Sequence, residues 1–248
     1  MEVRTQSAVP ELKRRARAAG WLYLLVVFTA PFAMIVLPRM LVVSNDAAAT
    51  AVRIRGHEWL SRMVIASGVA ESLLWVATVV ALYRLLREVD RDRAQTMLLL
   101  GTLLPTPITL AANALRIAAY TLAQGAPFLS GIPAPEREGL AYLALNVNGQ
   151  FTNIVSVFWG LWLLPFASLV TRPGLAPRWI GVSLAIAGTG YTADAFMSMI
   201  APGLEAAIAP VFLATAFGEL PVVGWLLWWG LRESGKGEER LQAATTMG

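Results

Sequence analysis

Long apolar segments separated by short polar stretches constrain this chain more than any other feature of its sequence. Hydrophobic residues make up 56% of its 248 residues and charged residues only 15%. A soluble domain of this size needs more charge to cover its surface, and an apolar run of about 20 residues can cross a bilayer as a helix. We therefore predict an all-α integral membrane protein. Its six apolar segments lie at about residues 20–38, 59–86, 95–124, 140–170, 179–200 and 206–231.

Basic residues flank these segments on alternate sides. Most lysines and arginines lie in the N-terminal stretch, in the connections after the second and fourth segments, and in the C-terminal tail. The positive-inside rule places these stretches in the cytoplasm. We therefore predict a bundle of six transmembrane helices over residues 20–231, with both termini inside, a basic flank at 1–19 and a polar tail at 232–248. This registration also places seven aromatic residues at the inner interface: Trp21, Tyr23, Tyr83, Trp162, Trp179, Trp228 and Trp229.

Several function classes are disfavoured. The sequence pI near 9.8 does not indicate a nucleic-acid partner, because the basic residues follow the apolar segments instead of forming one binding face. The chain has no cysteine and one histidine, His57, which disfavours a zinc site. His57-Glu58 lacks the second histidine of a zinc-protease motif, and residues 234–237 lack the strand and glycine of a phosphate loop. We predict no enzyme, no metal and no cofactor.

Arg116 is the most informative polar residue inside an apolar segment. An arginine there costs roughly 2.5–3.5 kcal/mol on insertion scales, so it needs a partner, a water-filled cavity or an interface within reach. Asn113 and Tyr120 share its helix face. A rise of about 1.5 Å per residue places Arg116 near the outer end of the third segment, and Asp194 in the outer third of the fifth. Two interpretations stay open: Arg116 and Asp194 form a structural ion pair, or they bind or gate a ligand.

Five further polar residues form two layers of the predicted bundle. Asn146, Gln150 and Asn153 occupy one face of the fourth segment in its outer third. Glu71 and Glu219 lie deeper, near mid-bilayer. The amides either bond between helices or orient a ligand, and the carboxylates either carry a proton or stay neutral and hydrogen-bonded. The pattern predicts an outward-facing chamber with a polar rim, a carboxylate floor and an apolar cytoplasmic plug.

Arg62 is a separate case near the outer end of the second segment. It lies nine residues before Glu71, which turns it to the opposite side of a straight helix. Arg62 either extends to the lipid headgroups or contributes to the rim of the chamber.

Prolines and small residues predict local helix geometry. Pro105 and Pro107 remove backbone donors from the third segment and should kink or break it, and Pro210 and Pro221 interrupt the sixth. A small-residue face in the fifth segment predicts close contact with a neighbouring helix: Gly181, Ala185 and Gly188.

Several short motifs, in their order and spacing, resemble one known family. They are Gly20-Trp-Leu-Tyr23, Glu58-Trp-Leu-Ser-Arg62, Leu82-Tyr-Arg-Leu-Leu86, Pro177-Arg-Trp-Ile-Gly181, Ala187-Gly-Thr-Gly-Tyr-Thr-Ala-Asp194 and Phe217-Gly-Glu219. Together they resemble the bacterial multi-pass membrane family known as domain of unknown function 4386, over nearly all the chain from residue 20 to 232. The resemblance implies an α-helical membrane protein without an assigned reaction. It also marks three family-type positions without giving them roles: Arg62, Asp194 and Glu219.

These features predict a protein of the bacterial inner membrane that binds or transports a small molecule or ion in its chamber. The alternative is a non-catalytic accessory or assembly subunit of a larger membrane complex, in which the polar groups hold the bundle together. The expected partners are the lipid bilayer together with a small molecule or ion, or with a membrane protein. Arg116→Ala separates the two hypotheses, because it should impair flux in the first and folding in the second.

Overall fold

The structure is a computed structural model that describes residues 3–172, 175–201, 203, 215 and 217–231. Every regular element in these ranges is helical. In chain order, the α-helices are α1 (Val3–Pro31), α2 (Leu37–Leu41), α3 (Ala47–Gly56), α4 (Glu58–Leu86), α5 (Arg91–Leu98), α6 (Pro105–Gln124), α7 (Ala134–Leu161), α8 (Leu163–Val170), α9 (Arg178–Ile200) and α10 (Leu220–Leu231). Two π-helical segments, Phe32–Val36 and Leu99–Leu103, and two short 3-10 turns, Pro127–Leu129 and Phe217–Glu219, join them.

Four stretches of helix are long and apolar enough to cross a membrane: Glu11–Leu41, Glu58–Leu86, Arg91–Gln124 and Ala134–Val170. They correspond to the first four predicted segments, so the all-helical membrane fold is confirmed at this level. The fifth segment is the 23-residue helix α9. The sixth is described from Phe217 to Leu231, whereas Pro210 and the tail at 232–248 lie outside the described residues.

The third predicted segment is interrupted where its prolines indicated. A π-helical turn precedes Pro105, and the N–H of Leu104 donates to the carbonyl of Leu99 at 3.2 Å. Pro105 then occupies the first turn of α6, where its missing N–H removes no helical bond. The first segment has the same construction, because its π-helical segment is followed by Pro38 in the first turn of α2. Pro221 likewise lies in the first turn of its helix, α10, which begins at Leu220.

Glycines bring α9 against α7 and α8, as the small-residue face predicted. A Cβ added to Gly188 would lie 2.7 Å from the carbonyl oxygen of Gly160 on α7. A Cβ on Gly160 would in turn overlap Thr192 and the carbonyl oxygen of Gly188. At the other end of α9, a Cβ on Gly181 would overlap the side chain of Thr171. The two helix backbones therefore touch directly at Gly160 and Gly188.

An aromatic core fills the end of the bundle where α4 turns into α5. Trp162, at the break between α7 and α8, stacks on Phe166 with 5.4 Å between ring centroids and meets the edge of Trp75 at 5.0 Å. Tyr23 of α1 lies 6.1 Å from Trp162. The prediction that Tyr23 and Trp162 belong to an interfacial belt is wrong, because each is only 1% exposed. Three of the other predicted belt residues are more than half exposed: Trp21, Trp179 and Trp228.

The turn before α5 is held by one carboxylate at this same end. Asp90 accepts from the backbone N–H of Arg93 at 3.1 Å and caps α5. It also pairs with Arg172, beyond the end of α8, at 2.5 Å. The backbone N–H of Arg93 and the nearby Arg172 guanidinium lower the pKa of Asp90 from its ordinary value. The ionised carboxylate thus ties two helix ends together.

The opposite end of the bundle is covered by the short helix α3. Asp46 caps it by accepting from the N–H of Ala49 at 2.8 Å. Arg55 then joins α3 to its neighbours, donating to Glu138 of α7 at 2.9 Å and to the carbonyl of Ala123 on α6 at 3.1 Å. We call this the α3 end, and the aromatic core marks the α5 end.

Candidate functional site

A cavity of about 410 Å³ with both polar and apolar lining residues lies near the α3 end, between the first membrane stretch, α6 and α7. Its polar lining residues are Arg116, Tyr120, Tyr142, Asn146, Asn148, Gln150, Thr152 and Asn153, and its larger apolar ones are Met34, Pro38, Val42 and Leu145. Among the described residues, Arg116 is the only charged one in this lining. The volume falls within the range of small-molecule sites.

Arg116 is held in place by neutral amide oxygens. Its Nη1 donates to Oδ1 of Asn113 at 3.2 Å, and its Nη2 donates to Oδ1 of Asn148 at 3.3 Å. Asn148 is fixed in turn, because its Nδ2 donates to the carbonyl of Ala112 at 2.7 Å. On the other side, Gly68 of α4 leaves room for the pair, since a Cβ there would lie 2.6 Å from Oδ1 of Asn113 and 3.3 Å from Nη1 of Arg116. The guanidinium is thus oriented without being neutralised.

The expected ion pair between Arg116 and Asp194 is not formed. None of the ion pairs among the described residues includes Arg116. Asp194 lies on α9, which packs mainly against α7 and α8 and not against α6. It is partly buried and has no hydrogen bond or ion pair within the described part of the chain. Arg116 and Asp194 were predicted at similar depths in the third and fifth segments, but similar depth does not make two helices neighbours.

The hydroxyl of Tyr120 is buried at the cavity without a hydrogen-bond partner. The residue is 2% exposed, lies one helical turn after Arg116 and packs its ring into the apolar cluster of the α3 end. Its hydroxyl is one of three buried side-chain atoms in the described ranges that have no partner. Leaving such a group unpaired costs about 1–3 kcal/mol, so a native structure needs a reason for it.

The three predicted amides of the fourth segment all line the cavity. Asn146 donates to the carbonyl of Tyr142 on its own helix at 2.8 Å. Gln150 and Asn153 form no hydrogen bond with any described residue, so they do not join helices within the described structure. The rim is completed by Tyr142, whose hydroxyl accepts from the backbone N–H of Asn45 at 2.6 Å.

The two predicted deep carboxylates lie elsewhere in the bundle. Glu71 accepts from Oγ1 of Thr29 on α1 at 2.7 Å. Glu219, just before α10, accepts from the hydroxyls of Tyr23 on α1 and Tyr191 on α9. Neither carboxylate lines the cavity, so the expected carboxylate floor is not formed by Glu71 or Glu219.

Arg62 lies on the outer surface of α4. Its side chain is 75% exposed and pairs with Glu58, one turn earlier, at 2.5 Å. It does not line the cavity. This placement agrees with the interpretation in which Arg62 extends to the headgroups.

Two residues that contact the predicted polar side chains were not predicted from the sequence: Asn148, which contacts Arg116, and Thr29, which contacts Glu71. Asn148 escaped because Asn146, Gln150 and Asn153 already defined one face of α7, and Asn148 belongs to another. Its spacing of four from Thr152, which also lines the cavity, was the available signal. Thr29 carried no signal, since threonines in membrane helices commonly bond their own backbone, as Thr29 also does with Leu25.

One comparison with known proteins gives a match. A family model described as a domain of unknown function (DUF4386) matches residues 18–230. No curated protein and no solved structure matches the chain.

Proposed function

This chain belongs to the DUF4386 family, a domain of unknown function, and we propose that its cavity binds a small molecule or ion. The observation that carries the proposal is Arg116, a charged side chain oriented by two neutral amides at the wall of an open cavity. A charge inside an apolar bundle ordinarily finds a partner or serves a ligand. The cavity supplies the space, and Gln150 and Asn153 supply polar groups that no described residue uses.

We also propose that the chain forms six spans in a bacterial inner membrane, with both termini in the cytoplasm and the cavity facing out. The supporting observation is the clustering of arginines at the α5 end, in the turn after α4 and around the turn after α8. The cavity lies at the opposite end, beside α3. The positive-inside rule then places the α5 end inside and the cavity outside.

A route for transport would continue from the cavity past Met34. A small void of about 10 Å³ lies next to the cavity, and Met34 and Thr152 line both spaces. Such a volume is about that of one water-sized probe. Met34 sits within the π-helical segment Phe32–Val36, and π-helical turns are frequent at functional sites of helices. We propose that bending of the first span at this segment moves Met34 and joins the two spaces.

Native mass spectrometry of the full-length protein, released gently from its own membrane, tests the binding role. A stoichiometric non-protein mass is expected with the wild type and should disappear in Arg116→Ala. Because Arg116→Ala alters two hydrogen bonds, Gln150→Ala is the second variant: it lines the cavity and bonds to no described residue. Arg62→Ala is the matched control, since that arginine is exposed and does not line the cavity.

Two results would overturn the proposal. A partner polypeptide in place of any small molecule would identify an accessory subunit whose polar groups serve assembly. A bound mass retained in both Arg116→Ala and Gln150→Ala would place its site elsewhere in the protein.

A further inference from the structure

The charge of Arg116 at the cavity wall indicates a class of ligand. We propose that the cavity takes a small acid whose carboxylate or phosphate is bound by the guanidinium of Arg116 and the hydroxyl of Tyr120. This inference rests on the binding role proposed above and adds the sign of the ligand's charge and its point of attachment.

The first argument is the uncompensated charge of Arg116. Every other described residue that lines the cavity is neutral, and no ion pair among the described residues includes this arginine. Its guanidinium has five N–H donors, of which two are engaged by Asn113 and Asn148. The remaining donors form a planar fork that matches the oxygens of a carboxylate or phosphate. A cationic ligand would be repelled by Arg116 and would find no carboxylate among the described lining residues.

The second argument is the orphaned hydroxyl of Tyr120. It is 98% removed from solvent, lines the same cavity one turn from Arg116, and donates to no described residue. A phenol hydroxyl bonded to an anionic oxygen forms one of the stronger hydrogen bonds in proteins. An acid bound at Arg116 that reaches this buried hydroxyl would therefore satisfy both groups. A neutral ligand would satisfy the hydroxyl and leave the charge without a counter-ion.

The rest of the lining describes the remainder of the ligand. Met34, Pro38 and Val42 form an apolar wall on the first membrane stretch, whereas Gln150 and Asn153 offer amides from α7. This arrangement suits an acid with a short apolar portion. The same chemistry is found in a free organic acid and in the headgroup of an anionic lipid.

A matched series of probes tests the charge. The full-length protein, in nanodiscs of phosphatidylcholine, is titrated with benzoate, benzamide and benzylamine, and separately with inorganic phosphate, while thermal stability reports binding. We expect stabilisation by benzoate or phosphate, at least tenfold weaker binding of benzamide, and none by benzylamine. Nanodiscs that contain phosphatidylglycerol form the second arm: if they alone stabilise the protein, the acid is a lipid headgroup.

Two variants assign the contacts. Tyr120→Phe should weaken binding of the acid about tenfold, because one hydrogen bond to a charged group is lost. Its fold should be unchanged, since the hydroxyl has no partner among the described residues. Arg116→Gln should weaken binding at least a hundredfold, because the charge and the fork are both removed. Tyr83→Phe, at the α5 end, is the control and should bind as the wild type does.

Several outcomes would overturn the inference. Equal binding of benzamide and benzoate, binding of benzylamine, or no stabilisation in either arm would exclude an acidic ligand. These failures are distinguishable from failure of the proposed function. A neutral or cationic small molecule found with the wild type by mass spectrometry would leave the binding role intact and overturn only the acid.

Discussion

The polar regions around Glu219 and Arg116 differ in how the protein surrounds the ionisable side chain. Glu219, at the α5 end, is surrounded by protein: two tyrosine hydroxyls from α1 and α9 reach it, and the aromatic core packs beside Tyr23. Arg116, near the α3 end, is oriented by neutral amides and faces an open cavity. The first arrangement joins three helices. The second leaves a charge at the cavity wall and a buried tyrosine hydroxyl without a partner among the described residues.

The contrast teaches that burial of a polar group inside apolar helices does not by itself assign it a role. Both residues were equally conspicuous in the sequence. What separates them is whether the surrounding side chains complete their hydrogen bonds. We expect changes near Glu219 to alter stability and changes near Arg116 to alter binding, and the following predictions test that division.

The largest loss of stability is expected at the contact between α7 and α9, because these helices belong to the two different regions. Gly160 lies on α7, which carries the cavity wall, and contacts α9, which carries Tyr191. In Gly160→Ala the new methyl would overlap Thr192 and the backbone of Gly188, so the helices must move apart. Overpacking of this kind costs about 1–3 kcal/mol, and backbone contact places it at the upper end. Thermal unfolding in detergent should show the loss, together with loss of ligand.

Gly139→Ala is the matched control on the same helix, because a Cβ there meets nothing within 4 Å. If Gly160→Ala is as stable as Gly139→Ala, the direct contact of α7 with α9 does not exist in the membrane protein.

Tyr23→Phe should have the next largest effect on stability and should leave binding unchanged. The substitution removes one of the two hydroxyls that donate to Glu219 and keeps the ring in the aromatic core. An unsatisfied buried acceptor costs about 1–3 kcal/mol, measured as a lower unfolding midpoint. Tyr83→Phe should be neutral. Reduced ligand binding at wild-type stability would move Tyr23 from the structural region to the functional one.

Arg116→Gln should show the opposite pattern. Removing a charge from an apolar bundle offsets the loss of its bonds to Asn113 and Asn148, so the free energy of unfolding should change by less than about 1 kcal/mol. Binding of the acid should be lost. A decrease in stability comparable to that of Tyr23→Phe, found in the protein without ligand, would make Arg116 a structural residue like Glu219.

The smallest effect concerns Asp90, which belongs to neither region. Its pKa is lowered by the backbone N–H of Arg93 and by Arg172, so its ionised form is favoured by folding. Ionised Asp90 contributes fully to the stability of the fold at pH values above the ordinary aspartate pKa of about 4. This stability is lost as the pH falls from there through the lowered pKa of Asp90 in the folded protein. Asp90→Asn should therefore flatten the acid side of the stability profile without affecting binding at neutral pH. An unchanged acid profile would contradict the pairing with Arg172.

The sequence predicted the helices better than it predicted which residues meet. Apolar runs are local, so the first four membrane stretches and the interruption before Pro105 could be read directly. Partners are not local: Tyr23 and Glu219 are 196 positions apart. The burial of Trp162 was equally hidden, because an aromatic residue near a helix end suits both a belt and a core. Its position at the break between α7 and α8 turns it inward.

The candidate site was predictable for its face on α7 and for Arg116, because helical spacing alone brings those residues to one side. The pairing of Arg116 with Asp194 was not, since depth along two helices says nothing about which helices are neighbours. Asn148 takes the place that was expected for Asp194. Because Arg116 contacts this neutral amide and not a carboxylate, its positive charge is not compensated among the described residues that line the cavity.

The π-helical segment Phe32–Val36 also determines how the first span tolerates changes in length. A π-helical turn holds one residue more than an α-helical turn, so deleting one residue there would restore a regular helix. The wider turn takes up the extra residue, so both halves of the span would keep their faces after that deletion. Each residue of an α-helix turns the chain by about 100°, so a deletion in the regular helix between Tyr23 and the π-helical segment would instead rotate the two halves against each other by about that angle. Tyr23 could then face Glu219, or Pro38 could face the cavity, but not both. The register of this one span therefore couples the two regions, although no hydrogen bond between described side chains joins them.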